Sequence, residues 1–115
     1  MQGIRDTLRS LHISKNYKGY TQAIFALELA LQDENRLLSV TKEIYMVVGE
    51  REGASWHTVE RNLRTIVKRA WERNPELLEK MAGYQLPVPP KVSEFLDIVS
   101  GYLQREVLHH DLRPP

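Results

Sequence analysis

Residues 41–73 read TKEIYMVVGEREGASWHTVERNLRTIVKRAWER, and the fold of the chain follows from how this stretch divides. Ser55 is a good N-cap, because its hydroxyl can accept from the free amides of a first turn. The segment Trp56–Arg73 then runs without a breaker until Asn74-Pro75, where proline disfavours helix in the residue before it. At 100° per residue Val59, Leu63, Ile66, Val67, Ala70 and Trp71 share one side of this helix, and His57, Arg61, Arg64 and Lys68 share the other. Upstream, Ile44, Val47 and Val48 form the buried face of a short helix over 41–49, capped by Ser39 or Thr41. Gly49 and Gly53 bracket Glu50-Arg51-Glu52, where the chain turns. A short helix, a glycine-containing turn and a longer helix make a helix-turn-helix. Gly49 and Val59 supply the small and apolar positions where its helices cross, whereas Glu52 and Asn62 are polar where apolar residues are usual.

Outward from this motif the periodicity stays helical. Ile4, Leu8 and Leu11 predict an amphipathic helix ending near His12, and Asn16–Tyr20 predicts a turn, because Gly19 interrupts the apolar pattern and is able to take positive φ. From Thr21 to about Asn35 apolar residues fall on more than one face, the pattern of a central helix buried on two sides. Pro75 opens a helix over 76–82 that ends at Gly83, and Leu86-Pro-Val-Pro-Pro90 is an extended connection. Ser93 is the expected cap of a last helix with Phe95, Leu96, Val99, Leu103 and Val107 inward. The expectation is an all-α fold of about six helices over residues 1–108, with 109–115 a disordered tail.

The 115 residues are the size of one domain, with 42% hydrophobic and 27% charged side chains, as in globular proteins. With no cysteine, disulfides and cysteine-based zinc sites are excluded. No stretch reaches the roughly 18 apolar residues of a membrane span, and the charged N-terminus is unlike a signal peptide, so a cytoplasmic location is expected. Catalytic signatures are absent: there is no phosphate-cradling glycine motif, nucleophile–base pair or paired carboxylate in an apolar setting. The expectation is therefore a non-enzyme without a cofactor. The adjacent His109 and His110 cannot converge on one metal ion from a helix, and His12 reads as a helix-end residue. Trp71 and Tyr45 read as core, and Trp56 as packed on the turn.

Charge distribution says more than the net charge of +1. Residues 57–73 carry five bases (Arg61, Arg64, Lys68, Arg69, Arg73) against two acids, and residues 1–20 carry four against one. Residues 28–52 run the other way, with six acids against three bases. A helix of 18 residues is about 27 Å long, and the major groove of DNA, about 12 Å wide, admits one helix. Arginine can donate two hydrogen bonds to guanine O6 and N7, so the stripe on 56–73 is the expected reader of duplex DNA. Lys15, Lys18, Thr41 and Lys42 stand at turns and helix starts, positions that commonly hold phosphate.

The chain also resembles the C-terminal effector domain family of the sporulation-initiation response regulators, the stage-zero A type. The resemblance is carried by Lys18-Gly19-Tyr20, Ala23-Ile24, Thr41-Lys42 with Tyr45, Val59-Glu60-Arg61, Arg64, Ala70-Trp71 with Arg73, Gly83-Tyr84 and Ser93-Glu94-Phe95. It covers about Leu11 to Arg105, with no gap between Lys18 and Trp71. It implies a helical effector domain with an embedded helix-turn-helix that regulates transcription, binding a TGTCGAA-type box, with copies of the domain in tandem on adjacent boxes. By position it implies that Glu60, Arg61 and Arg64 face the bases. From their places on the stripe, at its start and at the neighbouring turns, His57, Thr58, Lys68, Lys42, Lys18 and Lys15 are expected to make the other contacts to DNA. The segment 74–80, with Glu76, Glu79 and Lys80, lies where the resemblance implies contact with an RNA polymerase sigma factor.

Departures from the family pattern are specific. His57-Thr58 replaces a serine–arginine pair and loses a cation, while Lys68 and Arg69 replace an acid and an apolar residue. A related box with different flanks and phosphate contacts is expected. The family joins this domain to a phosphoacceptor receiver of parallel α/β fold, and no alternation of strands and helices occurs here. The chain is expected to be either an excised effector domain or a stand-alone regulator. The competing class is a helical protein-interaction module that kept the fold but lost specific DNA binding, favoured by Thr58 and Glu52; a small subunit binding an acidic partner through the same stripe is a third.

Overall fold

A computed structural model describes residues 3–108, with side chains through Glu106. The proposed tail 109–115, the His109–His110 pair and the Val107 side chain lie outside the described residues. Six α-helices follow one another: α1 (Gly3–Ser10), α2 (Tyr20–Gln32), α3 (Met46–Glu52), α4 (Trp56–Arg73), α5 (Pro75–Ala82) and α6 (Val92–Tyr102). No strand occurs among the described residues, so the chain is all-α as expected. A 3₁₀ segment, Glu34–Ser39, and a wide helical turn, Thr41–Tyr45, carry the chain from α2 into α3, and a second wide turn, Leu103–Leu108, extends α6.

The core forms where the apolar stripes meet. Leu8, Leu11, Ile13, Leu27, Ile44, Val48, Leu63, Ile66, Leu78, Phe95, Leu96 and Leu103 are all essentially inaccessible to solvent. Fully burying one such side chain contributes about 1.5–3 kcal/mol, so this set dominates folding. α2 is the centre: it packs on α1, α3, α4 and α6, and its buried residues Gln22, Ala23, Ile24, Ala26, Leu27, Leu29 and Ala30 span more than one face.

Several boundaries differ from the sequence expectation, each for a local reason. α2 stops at Gln32 rather than Asn35, because Asp33 turns its carboxylate back to accept from the Asn35 amide at 3.0 Å. Neither Ser39 nor Thr41 caps the following helix, since the backbone is already helical at Val40. α3 continues through Glu52, and Gly53 alone, at φ 70°, makes the turn. Ser93 lies inside the first turn of α6, whose cap position is held by Lys91.

Gly19 does not take positive φ; it sits at −89°. A Cβ there would lie 3.0 Å from the backbone oxygen of Asn62, so glycine is needed for the close approach of α2 to α4. The left-handed residue is His12 instead, at φ 65°. Its amide reaches Arg9 O at 2.9 Å and the next amide, Ile13, reaches Leu8 O at 2.8 Å, the double closure of a Schellman cap. Ile13 and Leu8, which this closure brings together, are both buried.

Candidate nucleic-acid interface

Three local devices set the position of α4. Ser55 Oγ accepts from the Thr58 amide at 3.3 Å, fixing where the helix begins. The α3–α4 crossing is as tight as the motif requires: Gly49 is buried and any Cβ on it would collide with the Ala54 carbonyl. The same turn is closed by the Ala54 amide donating to Gly49 O at 2.8 Å. At the other end Asn74 caps α5 by accepting from the Leu77 amide at 3.3 Å, while its side-chain amide donates to Ser10 O at 3.0 Å and ties the junction to α1.

The two polar residues at usually apolar positions of the motif are both used. Thr21 donates its hydroxyl to Glu52 Oε1 at 3.0 Å, and Asn62 donates its side-chain amide to Gln22 Oε1 at 3.2 Å. The first turn of α2 therefore holds both helices of the motif by directed bonds.

With Val59, Leu63, Ile66, Val67 and Ala70 buried, His57, Arg61, Arg64 and Lys68 project to solvent from the opposite side of α4. Glu60 stands half-buried at the edge of this stripe, and its carboxylate accepts from Arg64 Nη2 at 3.0 Å. Beneath them lies Tyr45, almost completely buried. Burial, with the negative charge of Glu60, pushes its phenol up to about 12, and Arg64 partly opposes the shift. Trp56 is half-buried against the core, and its indole lies over the His57 ring with centroids 3.7 Å apart. Thr58 is half-buried and shares a hydroxyl–hydroxyl hydrogen bond of 3.2 Å with Ser55, so it completes the cap. Trp71 packs against the core and donates its indole N–H to Leu86 O at 2.9 Å, fastening the proline-rich connection to α4.

The outlying cations sort by position. Lys18 lines a groove with Asn62, Thr65 and Arg69 of α4, on one flank of the stripe. Arg64, Glu60 and Lys68 line a second groove, on the other flank, together with Thr41, Tyr45 and Lys91. Lys15 and Lys42 are exposed, and neither lines these grooves. Lys91 escaped the sequence reading because it lies beyond three prolines and far along the chain from α4; a lone cation at a helix start was the available signal. In the segment expected to meet a sigma factor, Glu79 is occupied internally, accepting from the Leu86 amide at 2.7 Å, while Glu76 and Lys80 are exposed.

Among the described residues no group of histidines and carboxylates has metal-site geometry, and no helix is long and apolar enough to cross a membrane. No solved structure matches the chain. A protein-family profile, described as sporulation initiation factor Spo0A C terminal, matches residues 4–103. With a helix-turn-helix held by α2, a basic stripe on α4 and that match over most of its length, the chain belongs to the family of Spo0A C-terminal domains, helical DNA-binding effectors of sporulation regulation.

Proposed function

We propose that the chain is a sequence-specific transcription regulator whose α4 lies in the major groove of a TGTCGAA-like box. The observation that carries this reading is the exposed stripe of His57, Arg61, Arg64 and Lys68, set opposite the buried face of a helix whose start and crossing are fixed. Arg61 and Arg64 read guanines, and Glu60 accepts from a cytosine amine or aims Arg64. His57, Lys68, Lys42, Lys18 and Lys15 hold sugar and phosphate, which sets register without reading sequence. Thr58 contributes through the cap it completes. Tandem binding on adjacent boxes and contact of the exposed Glu76 and Lys80 with a sigma factor belong to the same reading, by family.

The competing reading, an interaction module without specific DNA binding, loses one of its supports, because Glu52 is used to bond Thr21. Titration of the protein against a duplex carrying the box and a scrambled duplex, at two salt concentrations, separates the readings. A regulator prefers the box, and its affinity falls steeply with salt as counterions are released. Arg64→Ala costs about 1–3 kcal/mol on the box and relaxes discrimination. Lys68→Ala weakens both duplexes alike. Equal, weak binding to both duplexes by the wild type would sink the specific-regulator reading.

A further inference from the structure

α4 stands as a ridge between two grooves. On one flank Asn62, Thr65 and Arg69 face the connection that precedes α2, with Lys18 on the far wall. On the other flank Arg64 and Lys68 line a groove of about 570 Å³ whose far wall is the end of the proline-rich connection, carrying Lys91. A helix lying along the major groove has a phosphate backbone on each side, because both strands bound that groove. We propose that Lys91 holds a phosphate of the strand opposite to the one that faces Lys18, so that the 86–91 connection acts as a second clamp on the duplex. This inference rests on the reading of α4 as the recognition helix.

Three observations support it. The first is charge: Arg64, Lys68 and Lys91 line the groove against Glu60, whose carboxylate is already engaged by Arg64 at 3.0 Å. The second is rigidity. Leu86, at the start of the connection, accepts from the Trp71 indole of α4 and donates its amide to Glu79, while Pro90 and Val92 on either side of Lys91 are buried. The Lys91 backbone is thus fixed relative to α4, and its exposed side chain makes no ion pair among the described residues. The third is the local cost. Lys91 occupies the cap position of α6 without a side-chain hydrogen bond to it. Serine, threonine, aspartate or asparagine would stabilise that position, and a cation at the positive end of the helix dipole does not. Helix stability gives no reason for lysine there, whereas a phosphate does.

The test uses the intact chain, a duplex with the box, a scrambled duplex and a salt series, comparing wild type with Lys91→Gln, Lys91→Arg and Lys18→Gln. Loss of one phosphate contact lowers the slope of log affinity against log salt by about 0.9. Lys91→Gln should show that decrease on both duplexes with the box-to-scrambled ratio unchanged, and Lys91→Arg should keep the wild-type slope. Neutral methylphosphonates placed one at a time along each strand then locate the contact. The position that ceases to matter in Lys91→Gln should lie on the opposite strand from the one that ceases to matter in Lys18→Gln. An unchanged slope in Lys91→Gln, or both positions on one strand, overturns the clamp. A wild type that binds both duplexes equally defeats the sequence-reading role of α4 while the Lys91 slope on either duplex still decides the clamp; a wild type that binds neither defeats both.

Discussion

Asn62 of α4 donates its side-chain amide to Gln22 Oε1 of α2 at 3.2 Å, across a contact where the would-be Cβ of Gly19 lies 3.0 Å from Asn62 O. Gln22 is only 5% exposed, so its amide has little access to water as a substitute partner. Asn62→Ala should therefore cost about 1–3 kcal/mol, the penalty of a buried acceptor left without its donor. Replacing both residues by leucine should recover part of that loss, since no polar group is then stranded. Urea denaturation of the single and double variants reads this directly. A cost for Asn62→Ala within the roughly 0.5 kcal/mol typical of surface changes would remove the bond from the account.

Glu60 and Arg64 form a pair that is exposed enough to contribute little to folding, with Arg64 66% accessible. Pairs of this kind at i,i+4 are worth about 0.3–0.5 kcal/mol, so Glu60→Gln should leave the unfolding midpoint nearly unchanged. On the function proposed above, its effect belongs to recognition. If the carboxylate accepts from a base or aims Arg64, Glu60→Gln should lose about 1–3 kcal/mol on the box and nothing on a scrambled duplex. Binding to the scrambled duplex should even tighten slightly, because a negative charge has left the interface. An equal change on both duplexes would assign Glu60 a general electrostatic role and no part in reading sequence.

The stretch 41–73 carried its own reading because each signal in it was local. Ser55 before Trp56, Asn74-Pro75 after Arg73 and the 3.6-residue spacing of Val59, Leu63, Ile66 and Ala70 all act within one helix, and the structure reproduces that helix from Trp56 to Arg73. Glu52 and Asn62 look like defects in a helix-turn-helix when seen alone. They make sense only beside Thr21 and Gln22, whose partnership depends on how α2 crosses the motif. Gly19 illustrates the same limit: glycine marked the turn correctly, but its reason is the neighbour across the contact and not its own φ. Lys91 was illegible for the same cause. Nothing in Pro87–Ser93 says that this segment returns to α4; the Trp71–Leu86 bond is what brings it there.

His12 supplies a prediction of the opposite sign. It holds a left-handed conformation at the end of α1, φ 65°, in a cap position where glycine is the usual residue. Its side chain is exposed and contributes nothing to the core. His12→Gly should relieve the steric penalty of that conformation and stabilise the fold by about 1 kcal/mol, after the greater freedom of glycine in the unfolded chain is deducted. His12→Val, with a branched β-carbon, should destabilise it. Thermal unfolding of the two variants against wild type decides the matter; a His12→Gly protein that melts below wild type would mean that the imidazole makes a stabilising contact.

Tyr45 gives the fold an alkaline limit. Its phenol is pushed from the ordinary value of 10.0 up to about 12 by burial first and by the Glu60 carboxylate second. Below about pH 10 tyrosine is neutral in both the folded and the unfolded chain, and the stabilisation it brings is fully present. As pH rises between about 10 and 12 the unfolded chain releases this proton and the folded one retains it, so the unfolded state binds fewer protons and stability must fall. Tyr45→Phe cannot take part in that release. The difference in stability between wild type and Tyr45→Phe should be constant from neutral pH to about 10, then shift in favour of phenylalanine at higher pH. Guanidinium denaturation across that range measures the difference, with the lysines and remaining tyrosines common to both proteins cancelling. Ultraviolet titration offers an independent reading: the variant should lack the last tyrosinate to form. If the difference stays flat through pH 11.5, the Tyr45 phenol ionises as readily inside the protein as outside, and the burial beneath Glu60 and Arg64 does not govern it.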